Sequence, residues 1–395
     1  MGMIASLALL LLCGYGVGEI FNHFRLPRLL GMLLTGIALG PFALNWLHGD
    51  LLLISQPLRT IALIVILLRA GLGLKWNDLK VVGRAAIMLS FIPCIMEGTI
   101  VMIMSRTLLG FSYAEGAMLG FVLAAVSPAV VVPSMLNLKD QGYGEDKQIA
   151  TLVLAGASVD DVISITLFTL FLNLSVRGEA DFLVEILKIP MGICLGIVGG
   201  FAAVFLLLKF FKLKLLTNKS TEKLLLLLTC AMLYYELGEW LGIASLLGVM
   251  AMGIPISKKD GDLGRNLSRG LGEIWVFAQI ILFALVGAAV NLQVSLEVGF
   301  LGIAIIFIGL AGRSFGVFLS TLGTNLDVKE RIFCAIAYTP KATVQAAIGG
   351  LPLAMGVSSG NAILAISVLA ILITAPLGAM GIKWSAPRLL NKKGG

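Results

Sequence analysis

The sequence predicts an all-α polytopic membrane protein of thirteen transmembrane helices, built as inverted repeats of six helices with two discontinuous helices. Three observations predict it. Apolar runs of membrane-crossing length recur along the chain, basic residues gather on alternate connections, and a hydroxyl-proline step recurs at matched places in the two halves. Hydrophobic residues make up 58% and charged residues 13% of the chain, with a mean hydropathy of +1.01; soluble domains hold about 45–50% and about 25%. Ordinary soluble folds are excluded, and the net charge of +7 needs a membrane explanation in place of a nucleic-acid partner.

A helix crosses the hydrocarbon with about 17–25 apolar residues. Spans are therefore expected at 3–22, 27–46, 57–74, 81–105, 114–137, 148–174, 181–208, 221–239, 241–257, 272–291, 296–322, 328–351 and 359–382. Span one lacks the basic leader and small-residue cleavage site of a removed signal. Met1-Gly2 with Ser6 fits a myristoylation pattern, which an outside N-terminus makes a chance match. Span four carries Glu97, span five Ser127-Pro128, and span six Asp160 and Asp161. Span seven leads into a lysine-rich run from Lys209 to Lys223, read as a solvated linker meeting anionic headgroups of the membrane lipids. Span eleven carries Arg313, span twelve Thr339-Pro340-Lys341, and span thirteen is apolar near Leu372.

With the N-terminus outside, most basic residues fall on cytoplasmic ends and loops, from Arg25 and Arg28 through Lys139, Lys147, Lys258 and Arg265 to Lys392 and Lys393. The other side holds only Arg59, Arg106, Arg177 and Lys188, so the C-terminus is expected in the cytoplasm. Cys13, Cys94, Cys194, Cys230 and Cys334 are scattered singly and read as core packing, and His23 and His48 lie near span ends. No cofactor is expected, and without a GxxxxGK[ST] loop no nucleotide.

The repeat is read from three matched features. Ile66-Leu67-Leu68-Arg69-Ala70-Gly71-Leu72-Gly73-Leu74 resembles Ile281-Leu282-Phe283-Ala284-Leu285-Val286-Gly287-Ala288-Ala289; one span later come Glu97 and Arg313; one span further come Ser127-Pro128 and Thr339-Pro340. With span seven as a linker, the halves start on opposite sides, which makes them inverted copies. A proline inside a helix removes a donor and clashes with the preceding turn, so Pro128 and Pro340 are expected to break their spans. Backbone groups freed at that depth are tolerated where they are buried in protein or line a wet cavity.

Asp160 and Asp161 are the centre of the reading, because an aspartate at mid-bilayer costs about 2.5–3.5 kcal/mol even on lenient scales. Two neighbours about 100° apart on a helix can face one water funnel, where repulsion and poor solvation favour taking up a proton or a cation. Asp161 would carry the proton or a small hard cation, with further oxygens from Asp160, Ser127 and carbonyls at the break such as Val126; such ligands suit Na+ or Li+. Glu97 and Arg313 are expected to pair, since an uncompensated buried charge is strongly destabilising. Lys341 would oppose the negative end of a half-helix or take part in coupling, and Arg69 would snorkel.

Four stretches carry a resemblance to the cation/proton antiporters, specifically the NHA subfamily of sodium/proton exchangers. They are Leu67-Leu68-Arg69-Ala70-Gly71-Leu72-Gly73-Leu74, Val126-Ser127-Pro128-Ala129-Val130-Val131-Val132-Pro133-Ser134-Met135, Gly156-Ala157-Ser158-Val159-Asp160-Asp161 and Pro340-Lys341-Ala342-Thr343-Val344-Gln345-Ala346-Ala347. The resemblance implies a homodimer with a dimerisation part at 1–76 and 220–293 and a moving core at 79–177 and 294–390. It implies repeats at 1–177 and 220–395 joined by a linker at 178–219, crossed breaks in spans five and twelve, and elevator-type motion. It further implies Asp161 as the indispensable carrier, Asp160 and Thr339 in the site, and Glu97 with Arg313 as an ion pair. Relatives with an acid pair commonly have lysine where this chain has Arg313, and arginine does not deprotonate, which points to electroneutral exchange. Two other readings are weighed: a sodium-coupled organic-anion symporter, which needs more intramembrane polar residues, and an intramembrane aspartyl protease, whose acids face each other from different helices and whose GlyXxxGlyAsp sequence is absent.

Overall fold

The computed structural model describes residues 2–24, 26–74, 76–177, 182–210, 220–290 and 299–392. Among these it is helical, with loops and one isolated bridge between Tyr143 and Lys392. In chain order the helices are α1 (Met3–His23), α2 (Arg28–Leu39), α3 (Gly49–Leu53), α4 (Ser55–Gly73), α5 (Trp76–Leu109), α6 (Tyr113–Ala124), α7 (Pro128–Asp140), α8 (Ile149–Arg177) and α9 (Phe182–Phe210). They continue with α10 (Ser220–Leu241), α11 (Ser245–Lys259), α12 (Gly261–Ala288), α13 (Gly299–Ser320), α14 (Val328–Ala337), α15 (Thr343–Ile348), α16 (Leu351–Ala354) and α17 (Gly360–Leu389).

Ten helical stretches among the described residues are long and apolar enough to cross a membrane, with α6 and α7 counted as one. The runs expected at 27–46, 241–257 and 328–351 fall on shorter helices. α2 has 12 residues and α11 has 15, while 328–351 is divided among α14, α15 and the start of α16. α2 stops at Gly40 because Pro41 follows, and the residue before a proline is pushed out of the helical region. The connections 178–181, 211–219 and 291–298 lie outside the described residues, and with them most of the lysine run, including Lys212, Lys214 and Lys219.

Packing forms two neighbourhoods. α4 lies against α11 and α12, with α2 on α12 and α1 on α2; α5 lies against α6, α8 and α13, with α14 on α17. Small residues let backbones touch inside each one. A Cβ at Gly71 of α4 would sit 1.8 Å from the Met250 carbonyl oxygen of α11, and one at Gly120 of α6 would sit 2.2 Å from the Gly98 carbonyl oxygen of α5. The neighbourhoods meet where α7 packs on α4 and α8 on α9. Lys139 Nζ donates to the Gly73 carbonyl at 2.8 Å, and Ser158 Oγ to Met250 Sδ at 3.0 Å.

Both broken helices start with a capping box, Ser112 with Glu115 on α6 and Asp327 with Glu330 on α14. Each glutamate also reaches the chain just ahead of a helix in the other half. Glu115 accepts from Ser358 Oγ at 2.7 Å, before α17; Glu330 accepts from Lys147 Nζ at 2.7 Å, before α8. Because Lys147 follows the far end of α7, α14 starts where α6–α7 finishes, so the broken helices run antiparallel.

Candidate functional site

Pro128 starts α7 at its first position, where its missing N–H is no loss, so the chain opens over Ala125-Val126-Ser127. Pro340 lies in the second opening, from Tyr338 to Ala342, between α14 and α15. The openings touch: the Ser127 N–H donates to the Pro340 carbonyl at 2.8 Å.

Unbroken α8 brings the acids to this point. Asp160 is 0% exposed; its Oδ2 accepts from the Val126 N–H at 3.0 Å and from the Arg313 guanidinium at 2.7 Å. Asp161, turned to another side of the helix, is half-buried. The two acids therefore differ in burial, Asp160 being sealed and Asp161 partly exposed. Ser127 Oγ, Asp160 Oδ1 and Asp161 Oδ1 are buried without a hydrogen-bond partner among the described residues.

Arg313 also donates to Glu97 Oε2 at 2.8 Å, and the same oxygen accepts from Lys341 Nζ at 2.6 Å. Glu97, Arg313 and Lys341 are each 1% exposed. Two anions, Asp160 and Glu97, thus face two cations, Arg313 and Lys341. Asp161 is the one formal charge left over.

The carbonyls freed at the first break are largely taken by protein donors. Arg313 binds the Ala124 carbonyl, and Gln345 Nε2 binds those of Val122 and Ala125 at 2.8 and 3.0 Å. These two side chains, and not Lys341, serve the negative end of the first half-helix. Thr339 Oγ1 donates to the Ile336 carbonyl at 2.8 Å and has no hydrogen bond to either acid. A cavity of about 550 Å³ lies elsewhere, lined by Arg84, Met88, Lys147, Leu152, Leu319 and Asn325 among others, and neither acid borders it.

Sequence reasoning gave no role to Gln345, Tyr338 or Thr374. Thr374, 1% exposed on α17, accepts the Lys341 N–H at 2.9 Å. Their signal was polarity in an apolar span, where each polar group needs a partner. Arg69, half-buried on α4, lies over Gly272 of α12. Cys94 and Cys334 are buried as core residues, but Cys194 is exposed on α9, so packing does not account for it.

The family profile described as sodium/hydrogen exchanger, transmembrane, matches residues 7–386. Sodium/hydrogen exchanger 9B2 of Mus musculus is 34% identical over 420 aligned residues, covering 99% of this chain and 74% of that protein. Sodium/hydrogen exchanger 9B1 of Homo sapiens is 32% identical over 382, covering 93% and 73%. The solved structure of the sodium proton antiporter MjNhaP1 from Methanocaldococcus jannaschii at pH 8 superposes with a TM-score of 0.78 over 98% of both chains; at 20% identity, that likeness speaks for the fold. By the extent of the profile match and the identity to its relatives, the chain belongs to the sodium/hydrogen exchanger family: it is an integral membrane cation/proton antiporter, not an enzyme.

Proposed function

We propose that this protein exchanges Na+ or Li+ for H+ at Asp161 by an elevator-type alternating-access mechanism. The observation that carries it is the charge count: Asp160 and Glu97 are matched by Arg313 and Lys341, while half-buried Asp161 stays unmatched with a bare Oδ1. One unbalanced carboxylate in a low-dielectric site holds one positive charge at a time, a proton or an alkali cation, and this competition is exchange. Asp160 Oδ1 and Ser127 Oγ would complete the cation's oxygen shell. Val126 orients Asp160 through its N–H, and Thr339 would join only after the second break rearranges. Pro128 and Pro340 hold the breaks open, and Glu97, Arg313 and Lys341 keep the surroundings neutral.

The moving body is assigned to 79–177 and 294–390, and the fixed dimerisation part to 1–76 and 220–293, joined through 178–219. Thirteen crossings follow if α2, α11 and α14–α16 each complete one. The protein would work as a homodimer among bacterial inner-membrane lipids, N-terminus outside and C-terminus cytoplasmic. An organic anion would need more polar lining than the apolar spans around the acids supply.

One charge exchanged for one charge predicts electroneutral transport. In reconstituted vesicles, a Na+ gradient should drive dye-monitored proton movement with or without an imposed potential, and the apparent KM for Na+ should rise with proton concentration. A Na+ flux driven by potential alone would overturn the one-for-one count.

A further inference from the structure

Tyr338 lies between the paired charges and the helix that carries the acids. It caps the end of α14, at the first residue of the second opening, and is 0% exposed. Its ring lies under the Arg313 guanidinium, with Cζ 5.2 Å from the ring centroid, within cation–π range. Its hydroxyl is buried with no partner among the described residues. That hydroxyl rests on Gly156 of α8, one turn before Asp160: a Cβ there would sit 2.1 Å from the phenol oxygen, 3.0 Å from Leu89 Cβ and 3.4 Å from the Tyr338 Cζ. Ser90 Oγ of α5 shares its proton between the Ala86 carbonyl at 2.9 Å and the Gly156 carbonyl at 3.2 Å, so α5 also touches α8 at this turn.

Arg313 has one fork to serve four partners. Its NH1 serves Glu97 and the Ala124 carbonyl, its NH2 serves Asp160, and its Cζ lies over the Tyr338 ring. The three polar partners hold the ends of the fork, and the Tyr338 ring backs it from the side. Asp160 Oδ2 is the oxygen that meets the fork, and Oδ1 is bare.

We propose that Tyr338 is a positioning residue for cation binding: its ring, seated on Gly156, holds the Arg313 plane so that one oxygen of Asp160 is neutralised and the other stays open for the alkali cation. This rests on the antiport reading above. The phenol ring is the working part; its hydroxyl sets only how deep the ring sits.

The test pairs Gly156→Ala with Tyr338→Phe in reconstituted full-length protein, measuring Na+-driven proton exchange alongside thermal unfolding in detergent. The added methyl of Gly156→Ala meets the hydroxyl and should displace the ring, raising the KM for Na+ about fivefold or more while the maximal rate stays within about twofold. Removing the hydroxyl as well, in G156A/Y338F, should return KM to within about twofold of the parent. Tyr338→Leu, which removes the ring's face, should raise KM as G156A does, and Tyr338→Phe should not. A G156A defect that Y338F leaves unchanged, or a Tyr338→Leu protein with the parent's KM, overturns the proposal. So does a defect seen only in maximal rate or thermal stability. If Tyr338→Leu does not fold, the Gly156 pair decides alone. Absence of exchange in the parent protein would overturn the antiport reading instead, and direct 23Na binding measured on the same variants would still separate the two.

Discussion

At the scale of single residues, the site is a sum of charges before it is a geometry. Arg313 joins Asp160 to Glu97 because its planar fork can donate in two directions at once, which an ammonium point charge does less well. Glu97 in turn takes Lys341, so taking away either acid leaves a buried cation unmatched. Glu97→Gln should therefore destabilise the protein by about 3–5 kcal/mol, read as a large drop in unfolding temperature. Asp161→Asn should do the opposite, since it removes the one unmatched charge: an unfolding temperature no lower than the parent's, together with loss of proton release on adding Na+. Undiminished release from Asp161→Asn would remove that carboxylate from the centre of the mechanism. The adjacency of Asp160 and Asp161 was plain in the sequence, and so was the need of Glu97 for a cation. That Asp160 is the sealed member and Asp161 the half-exposed one was not legible, because neighbouring positions on a helix look alike until packing decides which side faces the protein.

At the scale of elements, each broken helix is held at its start by a glutamate that caps its own helix and reaches into the other half. The two clamps differ in strength for a physical reason. Glu330 is 1% exposed and pairs with a lysine, whereas Glu115 is less buried and meets the uncharged Ser358 and Ser359. Glu330→Ala or Lys147→Ala should cost about 2–4 kcal/mol, and Glu115→Ala about 1 kcal/mol, compared by thermal unfolding. The hydrogen bond to Glu330 raises the Lys147 pKa above its ordinary 10.5, so the stability from this pair is complete below that pH and is lost as pH rises through the higher folded value. Unfolding temperatures that fall less steeply in Lys147→Ala than in the parent above that pH would show it. Both breaks were legible from Ser127-Pro128 and Thr339-Pro340. What the break does with its carbonyls was not, since Gln345 reaches Val122 and Ala125 across more than two hundred residues of chain.

At the scale of the whole molecule, two neighbourhoods of helices meet through contacts that include Ser158 to Met250 and Lys139 to Gly73. The proposed sliding of one body past the other would require those contacts to part. Cysteines at Ser158 and Met250, joined by a short cleavable cross-linker in a background without the five native cysteines, should stop exchange, and cleavage should restore it. Full exchange by the cross-linked protein would mean that α8 does not move against α11.

The sequence by itself determined the solvent, the helical architecture and which intramembrane charges need an account. Hydrocarbon admits only backbone that satisfies itself, and it makes Asp160, Asp161, Glu97 and Arg313 conspicuous wherever they stand. Only the tertiary structure decided which acid is neutralised, which oxygens stay bare, that Tyr338 lies on Arg313 and Gln345 on the first break, and that α2 and α11 are short. The reason is range: local composition fixes whether a segment enters the membrane, whereas charge pairing, orphaned oxygens and ring contacts depend on partners brought together from distant parts of the chain.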